Sequence, residues 1–503
     1  MITLKVSKYK TKKCYNVEII IIDNGYINMK YSSLFFVSFL AFWLSGCDIE
    51  ELKDKLEGEF VDYGSPLAEN TSKPSDPART LPPNPAGCPD WKKMPANNEI
   101  PESNKITESI TLPAGCRYDR VSLLIENQSN LTLDCNGAEL NGINKEFRQA
   151  VDVPYSEADE PLSIGIRIIS HETRPSGNIT IKNCKVKNYI TGIAVLTILK
   201  PETHLDLKNK RNPETVENYL RDHSLKNIRI ENTSVNYNHK NGIYIGRYIT
   251  GLVIDKTSVK YTSGAGLYLE SGSQRNTIKN STFSENGHSR YNVSKRVRLR
   301  MLAKDTREGI AIDSSAQNTI QNNTFSKNAG GGIFVYKNCY EHYQLATELP
   351  RYQSADNNLI TGNRFDNQKI GIWIASRQSK DLKSFECGTP RIATDKTKFG
   401  ETIFIYEDFA KHNIVTLNNF INVTNGVIIE DNDNTINNNS FSGSAKFDVI
   451  AGTKYRTEKL SQPVNNTVIT NNQFNSSSSA HINLSYNPSN TTIKDNIPET
   501  VNQ

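Results

Sequence analysis

Two acidic residues, Glu270 and Asp313, occupy the same place in successive copies of an internal repeat, four positions after a glycine. If the copies stack as neighbouring parallel strands, the two carboxylates lie roughly 5 Å apart. Like charges at that distance need a shared proton, a cation or a nearby arginine. The pair is therefore predicted to hold Ca²⁺, to act as an acid and a nucleophile, or to orient a hydroxyl group. The competing interpretation is two exposed carboxylates neutralised by Arg307 or another residue of a basic segment.

Cationic and phenolic residues follow the same series of glycines. Tyr336 stands at the fourth position, Arg247 and Lys337 at the fifth and Arg377 at the sixth. Lysine or tyrosine can remove a proton, and arginine can neutralise a carboxylate beside the carbon that loses it. We assign Lys337 or Tyr336 as the candidate base, with Arg247 and Arg377 as the neutralising residues. A lyase or C5-epimerase acting on a uronate polymer needs this combination.

The second position after each glycine is expected to point outward. It holds Tyr244, Tyr268, Ala311, Phe334, Trp373 and Ile428. The aromatic members Tyr244, Tyr268, Phe334 and Trp373 are the candidate substrate-binding residues, because a row of exposed rings could stack on sugar rings. The alternative is that inserted loops pack over this row.

These positions belong to two short templates that recur through the chain. The first, Ile-x-Asn-x-x-Phe or Val, begins at Ile181, Ile230, Ile254, Ile278, Ile320, Ile360, Val415, Ile436 and Ile469. The second, Gly-aliphatic-x-aliphatic, begins at Gly192, Gly242, Gly266, Gly309, Gly332, Gly371 and Gly426. The uninterrupted period of 21 to 24 residues, with strand-like alternation, favours a β-solenoid whose stacked coils share one core. The recurrent Asn predicts a turn through a left-handed residue in each coil.

This pattern resembles the right-handed parallel β-helix of the pectate-lyase-like superfamily, and LTLDCNGAELNG at 131–142 looks like a first coil. The resemblance implies an all-β fold, a right-handed single-stranded parallel β-helix with loop insertions. It implies no particular chemistry, because that scaffold carries lyases, hydrolases, epimerases and binding proteins. The Asp-Pro-His-Asp motif of mannuronan epimerases is missing, as is the Asn-Thr-Asp, Asp-Asp and Gly-His-Gly set of polygalacturonases.

Insertions interrupt the period at fixed corners. Three of them, near 197–224, 338–356 and 378–412, follow the glycine strand and are predicted to stack into one wall of a groove. A fourth, near 289–307, precedes the glycine strand and carries seven Arg or Lys residues with one acidic residue. Its expected partner outside the cytoplasm is an acidic polysaccharide or a lipid headgroup. A solvated charged loop is the alternative.

The N-terminal region carries a targeting pattern. After Met29, one lysine precedes an apolar run at 34–44 and a small-residue site, as in a secretory signal. The string LSGC at 44–47 resembles the lipobox of bacterial lipoproteins, which implies acylation of Cys47 and a membrane anchor. An ordinary signal peptide and an internal apolar helix are the alternatives. The expected location is the bacterial cell envelope, lipid-anchored and facing the periplasm or the exterior.

The chain is divided accordingly into five parts. Residues 1–46 are a signal segment, of which the first 28 are interpreted as the product of a start assigned too far upstream. The remaining parts are a lipid-anchored tether at 47–87, an N-terminal cap at 88–119, the β-helix at 120–495 and a C-terminal tail at 496–503.

A secreted location permits disulfides. Apart from Cys14 and the lipidated Cys47, the cysteines are Cys88, Cys116, Cys135, Cys184, Cys339 and Cys387. Six cysteines allow fifteen connectivities. We predict Cys339–Cys387, because both lie in the same wall one coil apart, and Cys135–Cys184 as a second pair on neighbouring coils.

Composition limits the function classes. Beyond residues 1–46, 53 basic side chains stand against 52 acidic ones, and this balance excludes a general nucleic-acid binder. The leading hypothesis is an envelope-anchored β-helix protein that binds an acidic polysaccharide and could modify it as a lyase or C5-epimerase. A non-catalytic carbohydrate-binding or structural lipoprotein is the first alternative. The second is a periplasmic β-helix protein of metal-enzyme maturation, which four Met residues and scattered His disfavour.

Overall fold

The computed structural model describes residues 6–9, 17–20, 83–95, 99–143, 161–174, 176–210, 212–289, 305–338, 349, 351–375, 393–396, 400, 402–405, 409–443, 446–476, 480–484, 486–498 and 501–502. The chain divides into two compact units, Met1–Leu81 and Pro82–Gln503. In the first unit, strand Val6–Tyr9 pairs antiparallel with Val17–Ile20. The apolar run at 34–44 and Cys47 lie outside the described residues. None of the helices described is long and apolar enough to cross a bilayer.

The second unit is a stack of coils that build long parallel sheets. One face is a sheet of twelve parallel strands, which hydrogen-bond in sequence order from coil to coil. Its strands are Ile110–Thr111, Ser129–Asp134, Gly177–Lys182, Lys226–Glu231, Val253–Asp255, Thr277–Lys279, Thr319–Gln321, Leu359–Thr361, Ile414–Thr416, Thr435–Asn437, Val468–Thr470 and Thr492–Lys494.

The other faces form a sheet of 21 strands in two rows, joined by two long strands that run through both rows. The row after the Asn turn contains Arg117–Asp119, Glu139–Asn141, Lys185–Lys187, Ser234–Asn236, Ser258–Lys260, Thr282–Ser284, Thr324–Ser326, Ser440–Ser442 and Gln473–Phe474. The glycine row contains Leu123–Glu126, Ile164–His171, Thr191–Ile198, Asn241–Ile245, Leu267–Leu269, Glu308–Asp313, Gly331–Tyr336, Phe447–Ala451, Ile482–Asn483 and Val501–Asn502. The two long strands are Arg364–Ile374 and Asn419–Ile429.

The core lies inside the coils, as the templates predict. All nine Ile or Val residues that open the first template are fully buried, from Ile181 to Ile469. The aliphatic residues of the glycine strands are equally buried, for example Ile243 and Ile245. The Phe of the first template adds a continuous stack, with ring centres 4.6 to 5.4 Å apart. Its members are Phe283, Phe325, Phe365, Phe420, Phe441 and Phe474.

The turn after the first strand is left-handed in every copy of the template. All nine third positions have a positive φ, including Asn183, Asn280 and Asn322, so the predicted backbone conformation is confirmed. Gly362 occupies this position in one coil, and a Cβ there would lie 2.5 Å from the side chain of Asn322. Glycine therefore adopts the positive φ without steric cost and also leaves room for the side chain of Asn322 in that coil.

A second row of Asn, one residue further along, runs inside the coils. Beginning at Ser281, the backbone N–H at this position of each coil donates to the side-chain oxygen of the Asn at the same position of the next coil, at 2.9 to 3.0 Å. The residues of this ladder are Asn323, Asn363, Asn418, Asn439, Asn472 and Asn496. Each side-chain amide bonds to backbone groups that the turn would otherwise leave without a partner. The ladder therefore stabilises the corner of each coil that it passes through.

Two disulfides lie at the N-terminal end of the solenoid. Cys88–Cys116 lies within the predicted cap at 88–119, and Cys135–Cys184 links neighbouring coils as predicted. Cys339 and Cys387 lie outside the described residues. A short 3₁₀ helix, Glu102–Asn104, belongs to the cap.

The solenoid extends slightly beyond its expected bounds. Strand Ile110–Thr111 already pairs within the twelve-stranded sheet, although it lies in the predicted cap. Strand Val501–Asn502 pairs with Ile482–Asn483 and lies in the predicted tail. Strands Ala393–Lys396 and Thr402–Ile405 form a separate antiparallel ribbon, and Tyr455–Lys459 forms a π-helical turn.

Candidate functional site

A pocket of about 310 Å³ lies against the glycine row, beside two of the insertions. We call it the Arg351 pocket. Tyr244, Arg247 and Glu270 line it from the coils, and Arg351 lines it from the insertion near 338–356. The complete lining is Leu196, Thr197, Leu199, His204, Leu220, Ser224, Tyr244, Gly246, Arg247, Tyr248, Glu270, Leu349 and Arg351.

The insertion near 197–224 forms two helices instead of the predicted loop. They are α1, Pro201–Asn209, and α2, Pro213–Asp222. Each begins with Pro-Glu-Thr, and proline suits the first helical position because its φ is fixed and it has no N–H to pair. Asn212 caps α2, since its side-chain oxygen accepts from two N–H groups of the first turn at 3.0 and 3.3 Å. The repeated Pro-Glu-Thr is the signal that could have revealed this helical hairpin.

The hairpin has a small apolar core of its own. Leu207, Val216 and Leu220 pack with Tyr248 of the coil and Leu349 of the other insertion, and none of the five is more than 3% exposed. The hairpin is therefore fixed against the coils at the pocket rather than projecting as a free loop.

Glu270 directly follows strand Leu267–Leu269, and Asp313 ends the neighbouring strand Glu308–Asp313. The register of the two strands brings the residues opposite each other, as the repeat predicts. Arg351 bridges them, with Nη1 donating to Glu270 Oε1 at 2.6 Å and to Asp313 Oδ2 at 3.1 Å. The Arg351 side chain is 10% exposed and Asp313 is fully buried. The cation between the carboxylates is therefore an arginine of the predicted wall. Arg307, a neutralising residue in the competing interpretation, pairs with Glu308 at 3.0 Å.

The donor set at this carboxylate pair does not fit Ca²⁺, which takes six to eight oxygen ligands. Both oxygens of Asp313 already accept hydrogen bonds, from Tyr268, Arg351, Ser314 and the backbone N–H of Asn338. In the part of the chain that the structure describes, no three His, Cys, Asp or Glu side chains are grouped to hold a metal ion.

The two carboxyl groups differ in their electrostatics. Burial raises the pKa of Asp313, and the charge of Glu270 adds to this effect, although Arg351 opposes it. Burial also opposes ionisation of Glu270, but Arg351 and Arg247 together hold its pKa below the ordinary value. Glu270 is therefore the carboxylate that presents a charge to the pocket, whereas Asp313 lies beneath it and positions Arg351.

The phenols of the floor donate to these acids. Tyr244 Oη donates to Glu270 Oε2 at 3.0 Å, and Tyr268 Oη donates to Asp313 Oδ2 at 2.5 Å. Burial and the neighbouring carboxylates raise the pKa of both phenols well above 10. Both tyrosines are therefore hydrogen-bond donors at neutral pH rather than bases.

The candidate bases do not line the pocket. Tyr336 and Lys337 are 5% and 7% exposed, and Tyr336 makes a hydrogen bond with Arg307. Lys337 Nζ donates to the backbone oxygen of Tyr352 at 3.3 Å and lies 5.1 Å from the ring centre of Phe409. Tyr352 and Phe409 belong to insertions that follow the glycine strand, so inserted residues cover this part of the floor. This agrees with the alternative that inserted loops pack over the outward row.

The aromatic row is divided between exposed and covered positions. Tyr244 and Tyr268 are half-buried and stack with ring centres 5.8 Å apart. Phe334 is 7% exposed and meets the edge of the half-buried Trp373 at 5.3 Å. Of these four aromatic residues, Tyr244 lines the pocket. Arg377, predicted to neutralise a substrate carboxylate, lies outside the described residues.

Two residues of the pocket lining carry a buried polar group that has no partner among the described residues. Arg351 Nε and Tyr248 Oη make no hydrogen bond among the described residues. The hydrogen bonds of the Arg351 side chain there both start from Nη1. Tyr248 is 1% exposed, and burial raises the pKa of its hydroxyl well above 10. Neither residue was identified from the sequence, because neither stands out by its residue type at a position of the repeat.

Comparison with known proteins agrees with this architecture. A family model described as "Right handed beta helix region" matches residues 174–387. The chain folds as a right-handed parallel β-helix. The fold class expected from the repeat is thus confirmed. A search of curated proteins found no match to the chain.

Several solved structures are similar to this chain. The alginate lyase from Paenibacillus sp. str. FPU-7 is 12% identical over 67% of this chain and 90% of its own, with a TM-score of 0.33. The tailspike protein of E. coli bacteriophage HK620, in complex with pentasaccharide, is 10% identical over 78% and 59%, with a TM-score of 0.43. The A-module of the Azotobacter vinelandii mannuronan C-5 epimerase AlgE4 is 11% identical over 79% and 91%, with a TM-score of 0.39. Likeness at this level of identity does not extend beyond the fold.

Proposed function

We propose that the Arg351 pocket binds an acidic saccharide. The observation that carries this proposal is a pair of buried groups in lining residues, Arg351 Nε and Tyr248 Oη, which have no partner among the described residues. An unpartnered buried polar group costs about 1–3 kcal/mol, and in native structures a ligand or ordered water commonly completes such a group. Arg247 and Arg351 against Glu270 also give the lining more guanidinium than carboxylate charge, which favours an anionic ligand.

The rest of the lining suits a sugar. The Glu270 carboxylate, ionised because its pKa is lowered, can accept from sugar hydroxyls. The ring of Tyr244 and the side chains of Leu196 and Leu199 supply apolar surface beside these polar groups. Convergent polar groups beside apolar surface are typical of small-ligand sites. Arginine is the residue best shaped to pair with a carboxylate, because its planar group presents several donors.

The pocket supports binding more strongly than proton abstraction. Lys337 and Tyr336 lie outside it, and the raised pKa values of Tyr244 and Tyr248 keep both phenols protonated at neutral pH. The observation that favours a lyase or C5-epimerase is His204 in the lining, since imidazole can act as a base near neutrality. Mixing the protein with alginate, pectate and glycosaminoglycans separates these possibilities. An increase in ultraviolet absorbance from unsaturated product indicates a lyase, and altered product stereochemistry indicates an epimerase.

Replacing Tyr248 by phenylalanine tests the binding proposal. The hydroxyl has no protein partner among the described residues, so its removal is expected to leave the free energy of unfolding unchanged or slightly higher. Affinity for the bound saccharide should fall roughly 2- to 10-fold, the value of one hydrogen bond. Isothermal titration with the acidic polysaccharides named above measures the affinity, and urea denaturation measures the stability.

Tyr189→Phe is the matched control. Tyr189 Oη donates to the backbone oxygen of Val121 at 2.6 Å, and the residue is fully buried outside the pocket. This variant should lose stability, by about 1 kcal/mol, and keep its affinity. If Tyr248→Phe binds as tightly as the unaltered protein, or if none of the polysaccharides binds, the pocket does not recognise an acidic saccharide.

We also propose that the chain is a lipid-anchored protein of a bacterial cell envelope. The support is the string LSGC at 44–47 after an apolar run, which would place a diacylated Cys47 at the new N-terminus. Replacing Cys47 by alanine is expected to move the protein from the membrane fraction to the soluble fraction. A Cys47→Ala protein that stays with the membrane and is cleaved at the same place would contradict the lipobox interpretation.

A further inference from the structure

The two insertions that flank the Arg351 pocket are joined to each other. Leu349 packs into the apolar core of the hairpin beside Leu207 and Leu220. Arg221 of α2 donates from Nη2 to Gln353 Oε1 at 2.9 Å. Contacts between the two insertions therefore run from the buried core to the polar surface, and the two form one continuous wall beside the pocket.

Each insertion is also fixed to the coils. Gln353 Nε2 donates to the backbone oxygens of Ser273 and Ser314 at 3.0 Å, on two successive coils. The hairpin is fixed to the coils at the start of α1, where Thr203 Oγ1 donates to the carboxylate of the buried Glu172 at 2.7 Å. The enclosure around the pocket is thus built from packed and hydrogen-bonded elements at both ends.

The insertion near 338–356 crosses the row of outward side chains next to the pocket. Arg351 contacts Asp313, and the backbone of Tyr352 accepts from Lys337, on the coils that follow Glu270. A saccharide lying on Tyr244 therefore meets this insertion if it continues along the solenoid axis toward Phe334. The axial path that an extended polymer would need is blocked at this point.

We infer that the pocket takes the end of an acidic saccharide chain rather than an internal stretch of it. This inference rests on the proposed function. The volume of about 310 Å³ is at the lower end of the roughly 300–1,000 Å³ found for small-ligand pockets, so it suits a terminal unit with little more than its neighbour. Arg351 then recognises the carboxylate of that terminal unit, and the rest of the chain extends into solvent.

Binding to a length series of one polysaccharide tests this inference. Oligomers are prepared from whichever of alginate, pectate or a glycosaminoglycan binds, and are separated by size. For end recognition, the dissociation constant per mole of chain should stay constant within about twofold from the shortest binding oligomer to the longest. Affinity per chain that rises steadily with length would show that internal units bind, and would overturn the inference. Failure of every oligomer and polymer to bind would instead reject the proposed function.

Chains with blocked ends give a second, independent measurement. Oligomers carry a bulky label on the reducing end, on the non-reducing end, or on both. One of the single labels should weaken binding at least 10-fold, and this identifies the recognised end. If the doubly labelled oligomer binds as well as the unlabelled one, the chain end is not what the pocket holds.

A pocket-filling variant confirms where the end is bound. Leu196→Trp places a larger side chain in the lining and should weaken oligomer binding at least 10-fold. The matched control is Leu417→Trp, at a turn residue that is 64% exposed, which should bind normally. A folded Leu196→Trp protein with unchanged affinity would place the end-binding site elsewhere. The length series in the unaltered protein tests the inference even if this variant does not fold.

Discussion

Replacing Arg351 by alanine is expected to lower the free energy of unfolding by about 3–5 kcal/mol, the usual cost of removing one partner from a buried ion pair. The guanidinium donates to Glu270 and Asp313, which are 7% and 0% exposed. Without it, two neighbouring carboxylates share a buried site with no cation between them. Urea denaturation of the unaltered protein and the variant at neutral pH measures the difference.

The destabilisation should depend on pH with a definite sign. Burial raises the pKa of both carboxyl groups, and Arg351 lowers the pKa of both. Removing the arginine therefore raises both pKa values in the folded state. The difference in free energy of unfolding between the two proteins is then largest at pH values above these raised pKa values. It decreases as the pH falls through them and the carboxyl groups become neutral. The difference between the two proteins should accordingly shrink in acid.

Arg229→Ala is the matched control for this prediction. Arg229 pairs with Glu231 on the outer face of the twelve-stranded sheet, where the two side chains are 47% and 29% exposed. An exposed pair of this kind contributes at most about 1 kcal/mol. If Arg351→Ala costs no more than Arg229→Ala, the Arg351 bridge does not stabilise the floor of the pocket.

The fold could be predicted because its core is periodic in the sequence. A buried Ile or Val opens each first template, and the glycine strand contributes alternate buried residues, such as Ile243 and Ile245. Stacked coils repeat these positions at one interval, so a single period sets the strands, their register and the core. The same period also brings Glu270 and Asp313 to matching places on adjacent coils.

The closure of the pocket could not be predicted in this way. Insertions follow no period, so the sequence located a wall near 338–356 without showing which of its residues would turn inward. Arg351 was missed for that reason, whereas the alternative considered from the sequence was Arg307 or another residue of the basic segment. Lys337 directly follows strand Gly331–Tyr336, but its burial depends on Tyr352 and Phe409, which reach it from two different insertions.

At the Asn turn, the conformation of one residue was predicted from the sequence, whereas the role of the next residue was missed. Asn322 has a φ of 55°, as predicted from its place in the template. Asn323 follows it, is 1% exposed and belongs to the buried ladder. A left-handed turn can be read from a recurring Asn. The ladder was missed because its position holds Cys, Thr or Ser in the first four copies of the template.

Replacing Asn323 by alanine is expected to lower the free energy of unfolding by about 2–6 kcal/mol. Its side-chain oxygen accepts from the backbone N–H of Ser281 at 2.9 Å, and Nδ2 donates to the backbone oxygen of Ile278 at 2.9 Å. Alanine provides neither group, so two buried backbone groups lose a partner at about 1–3 kcal/mol each. Urea denaturation measures the loss, and hydrogen exchange at Ser281 should become faster because its N–H no longer has an acceptor.

Asn322→Gly is the control, one residue away on the same turn. Asn322 is exposed, and glycine adopts its positive φ without steric cost. The change in free energy should stay within about 0.5 kcal/mol, as for other surface substitutions. Since both variants alter an Asn of the same corner, a large loss confined to Asn323→Ala would assign the stability of the coil to the buried amide. Equal effects of the two substitutions would show that the loss is not specific to the buried amide of the ladder.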